Sequence, residues 1–282
     1  MLKTNYHTHC TLCDGKNTLR EMTLEAIARN FDILGFSSHA MYPFSDEWHL
    51  KQEGYQQYIQ GIKDLKEEFG DKIELYTGFE ADYIKNICSP SMEQYRDFNP
   101  DFIIGSVHFV PGGTKDEGYF EADGNFTATR ENIKRFYGGN VREAVHAYFE
   151  AERNMVAKGG FTFVGHPDLI RKQLSYDELF DENESWYREE IKLTAKAIAS
   201  SGIAAEVNTG GMARGYLDNP YPSQEFLGLL HEYGARVTIN SDSHAVSTLD
   251  FAFDKAAEAI KKAGFKEVCY FQAGLLQMQA LS

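Results

Sequence analysis

Three observations predict an α/β barrel. Short apolar runs alternate with amphipathic stretches along the chain; the alternation recurs about seven times; histidines and acidic residues fall at the carboxyl ends of the apolar runs. Such alternation sets parallel strands under covering helices. With no Pro-, Gly- or Ser-rich linker between the units, the pattern predicts one closed domain over residues 1–282. In β/α barrels the carboxyl face of the strands carries the chemistry, so the ionisable residues mark where the site lies.

The first strand, residues 2–6, runs into His7-Thr8-His9. Residues two apart on a strand share a face, so both imidazoles point the same way. Asp14, in the turn before Gly15, adds an oxygen ligand. Asn17-Thr18-Leu19-Arg20-Glu21 reads as a capped helix start, running to about residue 30. Residues 32–38 form a short apolar strand ending at His39, and a polar, aromatic loop follows over 41–49. Tyr55, Tyr58, Ile62, Leu65 and Phe69 recur at helical spacing over 54–69. A third strand, 73–79, ends at Glu80, and a fourth, 102–107, ends at His108. The Gly-rich, acidic stretch 110–129 reads as a long irregular loop at the site. Then come a helix (141–158), a strand (161–165) ending at His166, a helix (184–201) and a strand (203–207). A loop over 209–222 leads to a helix (223–233) and the seventh strand (236–240), which runs into Asp242 and His244. A helix over 253–263, a short strand-like run (267–271) and a trailing helix are expected to close the chain.

Composition excludes several classes of function. A net charge of −14, from 28 Lys and Arg against 42 Asp and Glu, leaves no basic face for nucleic acid. No apolar run reaches membrane-spanning length. Four cysteines and no leader-like start predict a reducing, cytoplasmic setting. Cys10-Thr11-Leu12-Cys13 has no second pair to complete a structural zinc motif and reads as two loop thiols beside the site.

His7, His9, Asp14, His39, Glu80, His108, His166, Asp242 and His244 are too many ligands for one ion and imply two or three. Mixed imidazole and carboxylate donors suit Zn, Fe or Mn. Asp242 and His244 repeat the two-apart geometry of His7 and His9. His146 and His231 fall on helices and read as solvated or packed, and His49 as a pocket residue outside the ligand set.

Tyr6-His7-Thr8-His9 with Asp14-Gly15, Ser37-Ser38-His39, Gly78-Phe79-Glu80, Gly105-Ser106-Val107-His108, Gly165-His166-Pro167-Asp168 and Asn240-Ser241-Asp242-Ser243-His244 together resemble the polymerase-and-histidinol-phosphatase (PHP) superfamily. The stretch from Glu206-Val207-Asn208 through Arg214, then Asn219-Pro220-Tyr221-Pro222-Ser223, resembles its monofunctional histidinol-phosphatase branch. The resemblance implies a distorted (β/α)7 barrel with a trinuclear site of divalent ions. One ion would take His7, His9, Glu80 and Asp242; a second would share Glu80 and take His108 and His166; the third would take Asp14, His39 and His244. It further implies a phosphomonoesterase acting on L-histidinol phosphate in histidine biosynthesis. A metal-bridging hydroxide, held through Glu80 and Asp242, would be the nucleophile; no residue declares itself as general acid. Three dications against three carboxylates and a hydroxide leave roughly +2, enough to neutralise a phosphate dianion despite the acidic chain.

Arg214 is the expected phosphate clamp and Arg171 the second choice, because a guanidinium fork matches phosphate oxygens. Asp116, Glu117 or Glu121, on the rim, are candidates for the substrate's amine and imidazole. Two rival readings are a PHP phosphoesterase for phosphotyrosine, nucleotides or another small phosphomonoester, and a non-catalytic metal-binding scaffold. The complete ligand set speaks against the scaffold.

Overall fold

The computed structural model describes residues 1–40, 47–112, 118–175 and 179–281. Its central sheet has seven parallel strands: β1 (Thr4–Asn5), β2 (Ile33–Phe36), β3 (Glu74–Asp82), β4 (Phe102–Ser106), β5 (Phe163–Val164), β6 (Ala204–Asn208) and β7 (Val237–Asn240). They pair in chain order. A short extra strand, His39–Ala40, pairs with β3 and sets His39 beside Glu80. The sheet nearly closes on itself: β1 and β7 meet at one parallel bridge, Thr8 to Ser243, where His9 N donates to Ser243 O at 2.9 Å. The expected barrel is observed, with a seam in place of a continuous ladder.

Strand alternation divides the interior. Leu75, Phe79 and Ala81 of β3, Ile103 of β4, and Val237 and Ile239 of β7 face outward into the core beneath the helices. The inward residues Tyr6, Ile33, Tyr76, Phe102, Ile104 and Phe163 fill the barrel floor, with Tyr6 stacked on Phe163 at 5.2 Å between ring centroids. Phe102 fits because Gly78 has no side chain; a Cβ there would lie 2.4 Å from its ring. The inward phase of β3 then climbs from Tyr76 through Gly78 to Glu80 and Asp82. The same period of two that packs the floor delivers carboxylates to the mouth.

Helix α1 (Leu19–Ala28) has the capped start read from the sequence, and the cap is a capping box, with Thr18 Oγ1 accepting from Glu21 N and Glu21 accepting from Thr18 N. Helix α2 (Gly54–Phe69) has the predicted bounds. The irregular loop expected over 110–129, after the fourth strand, is a correction. Phe109–Pro111 pairs antiparallel with Tyr119–Glu121, and helix α3 (Phe126–Tyr137) follows, capped by Asn125. Only Thr129 and Ile133 of α3 are buried, too few for an apolar stripe to show in the sequence. Helix α4 (Val141–Lys158) is as predicted, α5 (Ser185–Ser201) differs by one residue, and the Gly-rich loop contains one helical turn, α6 (Gly210–Ala213). Helices α7 (Gln224–Glu232) and α8 (Phe253–Ala263) follow.

The expected trailing helix is also a correction. Glu267–Gln272 and Leu275–Ala280 form an antiparallel hairpin, whose turn residues Ala273 and Gly274 both have positive φ, 52° and 80°, as a tight hairpin turn requires. Phe271 from this hairpin plugs the floor, where the Tyr6 hydroxyl donates to Phe271 O and accepts from Phe271 N. No helix among the described residues is long and apolar enough to cross a membrane.

Candidate metal centre

All nine predicted ligands meet at the carboxyl mouth of the barrel, in four overlapping groups. His7 Nε2 lies 3.1 Å from Glu80 Oε2 and 3.6 Å from Asp242 Oδ1. His9 Nε2 lies 3.5 and 3.3 Å from the same two oxygens. On the other oxygen of Glu80, His166 Nε2 approaches to 2.8 Å and His108 Nε2 to 3.4 Å. Asp14 Oδ2 is 3.2 Å from His244 Nε2, and its Oδ1 is 3.8 Å from His39 Nε2. The groups overlap: Glu80 stands with His7 and His166 in one and with His39 and His108 in another, and His9 stands with Asp242 in one and with Asp14 in another. His9 and His39 stand between sets, each turning one ring nitrogen to Asp14 and the other to Glu80. Asp242, at φ 51°, holds a left-handed backbone rarely taken by a non-glycine residue, just past the end of β7.

The donor atoms fit divalent ions. His7 Nε2, His9 Nε2, His39 Nδ1 and Glu80 Oε2 are sealed from solvent with no hydrogen-bond partner of good geometry among the described residues. Buried polar atoms are rarely left this way, and here they converge on one another. Burial alone would discharge His7, but Glu206, Glu80 and Asp242 hold its imidazole well above the usual range. Burial likewise opposes charge on His108, yet Asp82 and Glu80 push it up to about 10. At His39 burial wins, and the ring falls to about 4. Burial disfavours ionised Glu80, but His7, His39 and His108 keep it well below the carboxylate range. Carboxylates that hold protons on imidazoles this strongly also attract a dication, whose binding displaces those protons.

Two residues to which the sequence reading gave no role orient the candidate ligands: Glu206, quoted only as the start of a motif, and Asp82. Glu206 accepts from His7 Nδ1 at 2.9–3.0 Å and from His166 N at 2.7 Å, and is fixed in turn by Asn208 and Asn240. Asp82 Oδ1 lies 2.9 Å from His108 Nδ1, and its other oxygen 3.1 Å from His49 Nε2. Such partners fix the tautomer and direction of a metal-bound imidazole. The signal was in the sequence: Asp82 is two residues past Glu80, and Glu206 lies in the inward phase of its strand. Ser106 adds a hydrogen bond to Glu80 Oε1 at 2.7 Å.

A cleft of about 330 Å³ lies over the ligands, walled by Trp48, Asp123, Lys172, Arg214 and Tyr216. Arg214 reaches it from the end of α6, where its Nη2 meets Asp242 Oδ2 at 2.6 Å. The glycines matter here, since a Cβ on Gly210 would stand 2.7 Å from Arg214 Nη2 and 2.8 Å from Asp242 Oδ2. Arg171 does not reach the cleft. It is 3% exposed and bonds Glu182, Asn219 Oδ1 and Pro220 O, bracing the 219–222 segment. Its neighbour Lys172 lines the cleft instead, bonded to Asp123 Oδ1 at 2.7 Å. Glu121 is exposed and does not line the cleft, whereas Asp123 does. Asp116, Glu117 and residues 41–46 lie outside the described residues. Cys13 Sγ is 3.7 Å from His9 Nδ1, and Cys10 Sγ is 3.4 Å from Ser38 Oγ. His146 pairs with Glu190 on the surface, and His231 packs on Phe265.

Comparison with known proteins finds relatives over nearly the whole chain. The histidinol-phosphatase of Bacillus subtilis is 26% identical over 275 residues, covering 92% of this chain and 99% of that protein. A protein named probable histidinol-phosphatase from Schizosaccharomyces pombe is 27% identical over 286 residues, covering 95% of this chain and 89% of its own. Among solved structures, the histidinol phosphate phosphatase (HISK) of Lactococcus lactis, complexed with Zn, L-histidinol and phosphate, aligns with a TM-score of 0.73. It is 25% identical and the alignment covers 98% of each chain. The sequence pattern of the PHP domain matches residues 5–210, about three quarters of the chain and six of its seven barrel strands. The chain is a member of the PHP domain family.

Proposed function

We propose that this chain is a metal-dependent phosphomonoesterase for L-histidinol phosphate, with three divalent ions on His7, His9, Asp14, His39, Glu80, His108, His166, Asp242 and His244. The observation that carries the reading is the set of buried imidazole nitrogens and the one Glu80 oxygen, without partners among the described residues, converging under one cleft. The Zn, L-histidinol and phosphate bound by the Lactococcus lactis relative support the substrate. When bound, the ions supply charge to meet a phosphate dianion and bring the pKa of coordinated water to about 7.

The chain's own residues do the rest. Glu80 and Asp242, held ionised, each face several imidazoles and fix their spacing. Glu206 and Asp82 lock the far nitrogens of His7 and His108. Arg214 presents its guanidinium at the cleft wall, where it can donate to phosphate oxygens as charge builds on them. Asp123, already paired with Lys172, is the wall carboxylate suited to the ammonium or imidazole N–H of the substrate. The test is a panel comparing L-histidinol phosphate with phosphotyrosine, a nucleoside monophosphate and an aryl phosphate. The highest kcat/KM is expected for L-histidinol phosphate; a higher value for any other member would overturn the substrate assignment.

A further inference from the structure

We infer that Cys10 and Cys13 form a reversible disulfide that disables the metal centre in the presence of a hydroperoxide. The pair sits in one tight turn between the ligands His9 and Asp14. Cys13 N donates to Cys10 O at 3.0 Å, closing a four-residue turn. In such a turn the first and last Cα atoms lie within about 7 Å, the range a disulfide spans. Both thiols are free. Cys10 is fully buried and Cys13 is partly exposed as a residue, so Cys13 is the more accessible of the two. Cys88 and Cys269 are buried elsewhere.

The chemistry balances with hydrogen peroxide as oxidant. Cys13–SH and H2O2 give the sulfenic acid and water; the Cys10 thiol then attacks that sulfur, forming the disulfide and a second water. A dithiol reductant reverses it by exchange. The link takes Cys13 Sγ away from His9 Nδ1 and Cys10 Sγ away from Ser38, the neighbour of His39. It also tightens a turn whose fit is already close: Gly15 N donates to Cys10 O, and a Cβ on Gly15 would lie 2.5 Å from Cys10 N. Asp14 is held inside that turn, and Lys16 N is tied to His244 O at 2.7 Å. Oxidation therefore shifts the support of His9, Asp14, His39 and His244 together. This consequence rests on the reading of those four residues as ion ligands.

The test uses the intact, metal-loaded protein. Cleavage after Lys3 and Lys16 releases one peptide holding both cysteines, so a disulfide shows as the loss of two hydrogens. After peroxide, the disulfide mass is expected, together with loss of bound metal and a fall in turnover of at least about tenfold. A dithiol and added metal should reverse both changes. Cys10→Ser and Cys13→Ser should each abolish the reversible response. A peptide that stays reduced, or a disulfide that forms with metal and turnover unchanged, would overturn the inference. Reduced protein that holds no metal before any oxidant is added would contradict the underlying ligand reading, and this consequence with it.

Discussion

Glu80 is the residue on which the centre turns. One of its oxygens faces His166 and His108, and the other faces His7, His9 and His39. Glu80→Gln keeps the shape but removes the charge and half the acceptor capacity, so bound metal and turnover should fall together, turnover by at least about 100-fold. Full metal content with near-normal turnover, by elemental analysis and assay, would contradict a shared carboxylate. The two arginines should separate cleanly. Arg214→Ala should lose about 30- to 1,000-fold in kcat/KM with little change in melting temperature, and Arg214→Lys should recover part. Its bond to Asp242 means that some metal affinity should go too, which the sequence did not foretell. Arg171→Ala should instead destabilise by about 3–5 kcal/mol in urea unfolding, since it leaves buried Asp168 and the 219–222 segment without their brace. The sequence marked both arginines for phosphate because both follow strand ends. Only packing decides that the side chain at 171 turns away and the one at 172 turns in.

Among the elements, those with strong periodicity were legible and those with weak periodicity were not. Helices α2, α4 and α8 have the bounds their apolar spacing predicts. Helix α3 buries two residues, and the C-terminal hairpin depends on a turn built from Ala273 and Gly274 rather than on an Asn-Gly signal. Helix α4 also carries a group that no motif announced. Glu152 is fully buried, accepts from the Tyr148 hydroxyl at 3.0 Å, and burial holds its carboxyl well above the usual range. A carboxyl with a raised folded pKa favours the folded state while protonated; that contribution is complete below its ordinary pKa of about 4.3 and is lost as pH rises through the raised value. Glu152→Gln, neutral at every pH, should match wild-type stability within about 1 kcal/mol near pH 5. It should become the more stable of the two as pH rises through the raised pKa. Urea unfolding along a pH series checks this; an equal loss at every pH would show that Glu152 is ionised when folded.

At the scale of the molecule, the proposed function asks an acidic chain to bind an anion. The sequence offered a reason: three dications against three carboxylates and a hydroxide would leave roughly +2 at the candidate centre, despite a net charge of −14 on the chain. It could not show the seam between β1 and β7, where the ladder gives way to a single bridge and side-chain bonds from Asn5 and Asn240. That seam sets His7 and His9 against Asp242, so closure of the barrel and assembly of the centre are one event. Long-range pairing of this kind leaves no local pattern to read. The most direct test of the account is the metal content of protein purified without chelator, measured by elemental analysis. Between two and three divalent ions per chain are expected, with turnover lost on their removal and regained on their return. One ion per chain or none, in protein that still hydrolyses L-histidinol phosphate, would contradict it.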